Sequence, residues 1–283
     1  MGSLLAGSLE CQRTGKPVGA AAKGRKGHHE GVRLPGRYPP FGDLRKAAIR
    51  SVAMAPPLLK ICGLRQPDQA AAVAALAVDA VGVIGVPSSP RWLEPARRAP
   101  LFGAVASTKR DCLRVLVVAD PAEEEIPQLE PGPGGHNVVQ LHGNETVERC
   151  LELRRRLPKG LLFWKALRIR EPGDLLQVSH FAPVVDALLL DAWVSSQLGG
   201  TGHRIPLEWL RDFRCEQPWW LAGGITPERM ASISGAVNPD GFDASSGVED
   251  APGVKNLARM EALVRAVRNH QPRLAEAGGE DAQ

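Results

Sequence analysis

A cysteine and an aspartate each end a short apolar run, at positions where their side chains could transfer protons. Cys62 ends residues 58–62 and precedes a glycine, which would let a substrate come close to the thiol. Asp191 ends residues 187–191, where partial burial would make its carboxyl a usable proton donor. The two residues are a candidate base and acid. Structural alternatives stay open, because a buried cysteine is ordinarily an inert small hydrophobe and an aspartate can cap a turn.

Two glycine-rich stretches late in the chain could hold a phosphate. They follow the apolar runs at residues 219–222 and 241–244. Unpaired backbone N–H groups in such turns converge on an anion, whereas a lone Gly-Gly pair would be no more than a tight turn. Two such stretches together favour a phosphorylated substrate, bound by Gly223, Gly224, Ser245, Ser246 and Gly247.

Four further residues could contact a substrate. Arg91 offers a guanidinium suited to bidentate pairing with a carboxylate, although a solvated surface arginine is an open alternative. Gln140 and His142 present an amide and an imidazole, and His142 could equally be a structural histidine. Gly200 lies in a stretch, residues 199–202, that is too glycine-rich for a helix and predicts a mobile loop able to close over bound substrate.

The elements that must position these residues are strands alternating with helices. Short apolar runs recur from residue 58 onward in the order typical of strand–helix units around a parallel sheet. The eight predicted strands are residues 58–62, 80–86, 114–119, 137–141, 161–167, 187–191, 219–222 and 241–244. This pattern predicts an α/β fold, a single (β/α)8 TIM barrel, in which the active site lies at the carboxyl ends of the strands.

Helices are predicted between most of these strands, at residues 67–78, 146–157, 172–181, 227–234 and 255–268. The first begins with Pro67 and Asp68, which suit the first turn and the positive end of the helix dipole. Residues 121–136 contain prolines and glycines that allow at most a short, irregular third helix.

Length and composition are those of an average globular protein. Of 283 residues, 43% are apolar and 23% are charged, which excludes a collagen, a coiled coil and a wholly disordered chain. Residues 58–270 are close to a minimal barrel and are predicted to form the catalytic domain. They lie between a basic, Gly/Pro-rich extension at residues 1–57 and a polar tail at residues 271–283.

Positive charge is concentrated in the extension. Residues 1–57 carry ten Lys or Arg and three acidic residues, a local charge of +7 in a chain of +4, so the remainder is mildly acidic. We therefore expect no nucleic-acid partner. The extension lacks a sustained apolar period and is predicted to be disordered. It could be a transit peptide, but we favour translation that starts at Met54.

Five scattered cysteines without a C-x-x-C pair argue against a disulfide framework and against a structural zinc site. This pattern predicts a reducing, cytoplasmic location and no metal. The most apolar stretch, residues 70–87, is interrupted by Asp79 and falls short of a membrane span, so no membrane association is predicted.

The chain resembles the phosphoribosylanthranilate isomerases of tryptophan biosynthesis over residues 58–270. The resemblance is carried by seven motifs in the family's order, namely Lys60-Ile61-Cys62-Gly63, Ser89-Pro90-Arg91, Gln140-Leu141-His142-Gly143, Leu189-Leu190-Asp191, Gly199-Gly200-Thr201-Gly202, Leu221-Ala222-Gly223-Gly224, and Ser245-Ser246-Gly247-Val248-Glu249 with Pro252-Gly253-Val254-Lys255. Any one of these motifs is weak, but seven in register are specific.

This resemblance implies an Amadori rearrangement of N-(5-phosphoribosyl)anthranilate, with no cofactor and no metal. Asp191 matches the family's general acid, which protonates the ribose ring oxygen, and Cys62 matches the general base, which removes the C2 proton. Arg91 would pair with the anthranilate carboxylate, while the two glycine-rich loops hold the phosphate. The implied partner is this small-molecule substrate, and the chain would be a monomer or a homodimer.

The chain departs from the family's pattern in five places, which bear on loop closure and on rate: Arg65, the stretch at residues 97–112, His203, Ile205 and Asn256. None of them is a predicted proton-transfer residue. Two alternatives stay open. One is another phosphosugar barrel of amino-acid biosynthesis, although such enzymes use a lysine or two aspartates, and the other is a phosphate-binding barrel without turnover.

Overall fold

A computed structural model describes residues 56–192 and 204–272. Eight parallel strands close into a barrel in which each strand pairs with the next and the eighth pairs with the first. The strands are β1 (Leu58–Cys62), β2 (Ala80–Ile84), β3 (Leu113–Val118), β4 (Val138–Leu141), β5 (Leu162–Ile169), β6 (Ala187–Ala192), β7 (Trp219–Leu221) and β8 (Gly241–Ala244). The predicted (β/α)8 architecture is confirmed.

Helices follow most of the strands and cover the outside of the barrel. They are α1 (Pro67–Ala75), α2 (Pro95–Ser107), α3 (Val147–Arg156), α4 (Val178–Phe181), α5 (Leu207–Leu210), α6 (Met230–Ile233) and α7 (Leu257–Arg268), with 3-10 helices at Glu123–Leu129, Pro172–Gln177, Ala182–Val184 and Ser246–Val248. An antiparallel hairpin of β9 (Glu249–Ala251) and β10 (Val254–Lys255) follows β8. Within the described ranges, no helix is long and apolar enough to cross a membrane.

Alternation along each strand separates two layers of side chains. In β1, Leu59 and Ile61 belong to the apolar layer between barrel and helices, whereas Cys62 belongs to the cluster inside the barrel. Lys60, two residues before Cys62, shares its inward face and is fully buried. The period of two therefore decides which residues of a strand can reach the mouth of the barrel.

Two tryptophans fill the barrel beneath that mouth. The rings of Trp164 on β5 and Trp220 on β7 lie with their centroids 4.8 Å apart. Gly241 at the start of β8 leaves room for them, because a Cβ there would lie 2.4 Å from the Trp220 ring. The interior is therefore a packed floor and not a pore, as is usual for this fold.

The strands were predicted more closely than the helices. The bounds of β1 and β8 are those expected from the sequence. The third helix, between β3 and β4, is the short 3-10 helix Glu123–Leu129, which agrees with the short, irregular helix expected at residues 121–136. Helix α2, which contains Pro95 and Pro100, was not predicted from the sequence. Pro95 stands in the first turn, where its missing N–H leaves no bond unmade, so the first proline starts the helix. The hairpin of β9 and β10 was not predicted either.

Four predictions lie outside the described residues. They concern the extension up to residue 55, the loop at residues 199–202 with Gly200, His203, and the tail beyond residue 272.

Candidate active site

One cleft opens at the carboxyl ends of the strands. It brings together ten of the eleven residues that the sequence singled out, and Gly200 is the one outside the described chain. The lining side chains and turns include Cys62, Arg91, Gln140, His142, Asp191, Gly223, Gly224, Ser245, Ser246 and Gly247. The barrel thus gathers residues that are up to 185 positions apart.

Cys62 is 6% exposed and ends β1 at the floor of the cleft. Gly82 on the neighbouring strand β2 makes space for it, because a Cβ there would lie 2.7 Å from the sulfur. Burial raises the pKa of the Cys62 thiol, while the positive charges of Lys60 and Lys255 lower it and Asp243 raises it. The thiol is therefore protonated at rest but lies among cations that favour its thiolate.

Lys60 and Asp243 form a buried ion pair beside this thiol. Their Nζ and Oδ2 atoms are 2.8 Å apart, with the lysine side chain fully buried. Burial alone would lower the pKa of Lys60, but Asp243 and Cys62 raise it above its ordinary value. Burial likewise raises the pKa of Asp243, and Lys60 opposes this shift. Lys60 stays charged, and its ammonium is close enough to the sulfur to stabilise a thiolate.

Asp191 is the second-last residue of β6, and its side chain lines the same cleft. Its Oδ1 accepts a hydrogen bond of 2.9 Å from the backbone N–H of Ala192, and its Oδ2 lies 3.4 Å from Nε2 of His142. The side-chain amide nitrogen of Gln140, Nε2, lies 3.0 Å from the other ring nitrogen of His142, Nδ1. With the Gln140 amide as donor, neutral His142 carries its proton on Nε2, which faces Asp191.

Arg91 reaches the cleft but is paired with Glu249. Its Nε and Nη2 donate to the carboxylate oxygens of Glu249 over 2.7 to 3.0 Å. Burial alone would raise the pKa of Glu249, but Arg91 and Lys255 bring it below its ordinary value. Nη1 of Arg91 has no hydrogen-bond partner among the described residues and is the donor left for a substrate.

Glu249 also binds Lys255, and these contacts connect the hairpin of β9 and β10 to Cys62. Nζ of Lys255 lies 2.6 Å from Oε1 of Glu249 and donates to the carbonyl oxygen of Cys62. Burial lowers the pKa of Lys255, and Glu249 opposes this shift. β9 and β10 therefore fix the backbone at the end of β1 as well as the guanidinium of Arg91.

The two glycine-rich loops meet at one side of the cleft. Gly223 and Gly224 have φ angles of +84° and +61°, which favour glycine because other residues are strained there. A Cβ on Gly247 would lie 2.0 Å from the carbonyl oxygen of Ile225, so the loop after β8 rests directly on the loop after β7. Ser245 Oγ donates to the Cys62 carbonyl over 3.1 Å, which links this pair of loops to β1.

Five charged residues buried around the cleft had no role predicted from the sequence, namely Lys60, Asp243, Glu249, Lys255 and Arg229. The sequence did contain a signal for two of them. Lys60 lies two residues before Cys62, and Asp243 lies two residues before Ser245, so each shares the inward face of the predicted site residue that follows it. In the described part of the chain, no group of three or more His, Cys, Asp or Glu side chains could hold a metal ion.

Comparisons with known proteins agree with this geometry. A family model for N-(5'phosphoribosyl)anthranilate (PRA) isomerase matches residues 59–266. The N-(5'-phosphoribosyl)anthranilate isomerase of Synechococcus elongatus is 43% identical over 205 residues, 72% of this chain and 93% of the relative.

Solved structures show the same likeness. Phosphoribosyl anthranilate isomerase from Thermotoga maritima is 25% identical, with a TM-score of 0.65 over 75% of this chain and 98% of that one. Another isomerase, in complex with reduced 1-(o-carboxyphenylamino)-1-deoxyribulose 5-phosphate, is 26% identical, with a TM-score of 0.60 over the same shares. Because the family model covers most of the chain and the relatives align over nearly their whole length, the chain belongs to the N-(5'-phosphoribosyl)anthranilate isomerase family.

Proposed function

We propose that this chain converts N-(5'-phosphoribosyl)anthranilate into 1-(2-carboxyphenylamino)-1-deoxyribulose 5-phosphate, a step of tryptophan biosynthesis, with Cys62 as the general base and Asp191 as the general acid. One observation carries the proposal. A thiol flanked by two ammonium groups and a carboxyl beside an imidazole line the same cleft, next to paired glycine turns suited to a phosphate.

The reaction begins at the ring oxygen of the ribose. Asp191 donates its proton to this oxygen as the C1–O bond breaks, and the anthranilate nitrogen supplies the electrons, which gives an open-chain protonated imine. The Nε2–H of His142, 3.4 Å from Oδ2 in the absence of substrate, then stabilises the carboxylate that forms. The ring opens without a change of oxidation state, since only a proton and a bonding pair move.

The second step removes the proton from C2. The protonated imine acidifies this C–H bond, so a thiolate of modest basicity can take the proton and leave an enolamine. Lys60 and Lys255 favour the thiolate that burial disfavours. The enolamine then takes a proton at C1 and its hydroxyl loses one, which gives the ketone product with the same atoms as the substrate.

Both ends of the substrate are anionic, and the cleft offers a site for each. Arg91 would pair with the anthranilate carboxylate through its remaining donor, while Glu249 holds the rest of its guanidinium. The turns at Gly223–Gly224 and Ser245–Gly247 would bind the phosphate through backbone N–H groups. Fixing both ends would place C2 between base and acid, which is a large part of the rate enhancement available to such a site.

The partner is the small-molecule substrate, which Gln140, His142 and Gly200 would also contact, and the site takes no cofactor. The enzyme works in the cytoplasm, as the cysteine pattern indicates. It is a monomer or a homodimer whose catalytic domain is residues 58–270.

An assay that follows the loss of phosphoribosylanthranilate fluorescence tests the proposed activity. Cys62→Ser and Asp191→Asn should each lower kcat by about two to four orders of magnitude, because each removes one proton-transfer group, while a product analogue still binds. Cys112→Ser is the matched control, since Cys112 is a buried thiol on the outer side of the barrel.

Near-normal turnover by either variant would disprove the role of that residue. Absence of turnover in the unmodified chain, with phosphate binding retained, would favour the phosphate-binding barrel instead. Growth without tryptophan, restored to cells that lack the isomerase, would support the pathway assignment.

A further inference from the structure

Arg229 is a buried arginine beside the phosphate turn for which the mechanism above has no use. It is 7% exposed and stands immediately before α6, in the segment that follows β7. No carboxylate forms an ion pair with it anywhere in residues 56–192 and 204–272. Burial of a charge without a counter-ion is unfavourable. An anion bound near Arg229 would reduce this unfavourable free energy.

The electrostatics of Arg229 point the same way. Burial and, as a smaller cause, the positive charge of Arg204 together lower its pKa to about 10. Arg229 and Arg204 repel each other, and a dianion bound near them would relieve this repulsion. Phosphate esters carry such a charge near neutral pH.

The only side-chain hydrogen bond of Arg229 recorded among the described residues goes to the turn itself. Its Nη1 donates to the carbonyl oxygen of Gly223. Gly223 and Gly224 line the cleft, whereas Arg229 does not. The guanidinium therefore binds this carbonyl from behind the turn, outside the lining of the cleft.

This bond fixes the direction of the next backbone N–H. In a planar trans peptide, the C=O of Gly223 and the N–H of Gly224 point in opposite directions. With the carbonyl held by Arg229, the N–H is turned toward the cleft. Glycines on both sides of this peptide leave it free to rotate, and a rotated peptide would present its carbonyl oxygen to the phosphate instead.

We propose that Arg229 is a positioning residue of the phosphate site, which holds the Gly223–Gly224 peptide with its N–H toward the cleft and adds positive charge behind the turn. That the ligand is the phosphate of phosphoribosylanthranilate rests on the proposed function above. The inference that this turn binds phosphate through an orientation set by Arg229 stands on the geometry alone.

Three substitutions separate the hydrogen bond from the charge. Arg229→Met removes both, Arg229→Gln keeps a donor without the charge, and Arg229→Lys keeps a charged donor. We expect Arg229→Met to raise KM about tenfold or more with kcat changed by less than about threefold, as for the loss of a charge-assisted hydrogen bond. Arg229→Gln should raise KM less, and Arg229→Lys should recover most of the affinity. Arg155→Met, at an exposed position on α3, is the control.

Inhibition by inorganic phosphate and by anthranilate gives the second readout. The inhibition constant for phosphate should rise about tenfold in Arg229→Met, whereas that for anthranilate, which carries the other end of the substrate, should stay within about twofold. A general loss of structure would weaken both inhibitors. If Arg229→Met does not fold, Arg229→Gln decides the matter on the same two constants.

Unchanged KM and unchanged phosphate inhibition in a folded Arg229→Met or Arg229→Gln variant would overturn the inference, and so would equal weakening of both inhibitors. Calorimetric titration with inorganic phosphate tests Arg229 independently of turnover. An unmodified chain that binds phosphate but shows no turnover would therefore contradict the proposed function, while the Arg229 comparison would still stand.

Discussion

The basicity of Cys62 depends on opposing effects within one cluster of side chains. Burial disfavours its thiolate, and Lys60 and Lys255 favour it. Lys60 is held in place by Asp243, so its charge is present at every pH at which the enzyme would work. In this arrangement the lysine does not transfer a proton, and it acts through the thiol.

Replacing Lys60 should therefore change the pH dependence of the reaction. Lys60→Met removes a cation beside Cys62, which raises the pKa of the thiol further and lowers the thiolate fraction at any given pH. We expect kcat/KM to fall at neutral pH, and the part of its pH profile that rises with thiolate formation should move to higher pH. A pH–rate profile checks this outcome.

The same substitution leaves Asp243 buried without its partner, which should cost about 3–5 kcal/mol of unfolding free energy. The double variant Lys60→Met with Asp243→Asn removes both charges and should recover much of the stability, as thermal unfolding would show. Its pH profile should stay displaced, because Lys60 has a larger effect on the pKa of Cys62 than Asp243 has. If the pH profile of the double variant returned to that of the unmodified chain together with its stability, Lys60 would have only a structural role.

At the scale of elements, the site depends on segments that touch across the barrel mouth. The loops after β7 and β8 form one surface because Gly247 lies against the carbonyl of Ile225. The hairpin of β9 and β10 brings Glu249 to Arg91 and Lys255 to the end of β1. Each contact is made by residues that follow a strand, so small changes in a loop are transmitted to the cleft.

Gly247→Ala should separate the two loops. The added Cβ would meet the Ile225 carbonyl at 2.0 Å, so one loop must shift. We expect KM and the inhibition constant for phosphate to rise about tenfold, a change equivalent to about 1.4 kcal/mol. Steady-state kinetics measures the first and competitive inhibition the second.

Gly103→Ala is the matched control for this substitution. Gly103 lies within α2, where a Cβ would have nothing within 4 Å. Alanine there should leave kinetics unchanged and stabilise the protein by about 0.5–1 kcal/mol, because it favours the helix. Equal kinetics for the two variants would show that contact between the loops is not needed for phosphate binding.

At the scale of the whole molecule, the ring of strands closes within the described residues. β1 pairs with both β2 and β8, and Arg268 of the last helix donates to the carbonyl of Pro57. The family match begins at residue 59. The described residues thus contain a complete ring of eight strands.

Removing residues 1–53 should leave kcat, KM and the unfolding temperature unchanged, because no strand of the ring is lost. A chain that begins at Leu64 is the contrasting variant. It lacks β1 and is expected not to fold, since two neighbouring strands lose their partner. A collapse in folding yield of the first truncation would show that the extension contributes to the barrel.

The sequence alone determined the order of strands and which residues end them. Short apolar runs are a local property, so the bounds of β1 and β8 and the positions of Cys62 and Asp191 could be predicted from neighbouring residues. Helix α2 was not predicted, and the burial of Leu101, Phe102 and Val105 that supports it is a property of the packed barrel.

Only the tertiary structure decided which charges meet. Lys60 and Asp243 are 183 residues apart, and Arg91 and Glu249 are 158 apart. Such pairs form only when the barrel closes and brings β8 beside β1, which no local pattern encodes. Burial, which sets the direction of each pKa shift, is likewise a property of the closed molecule. Residue types and their strand positions are therefore written in the sequence, whereas the electrostatics that would make a thiol a base arise from the packing of distant strands.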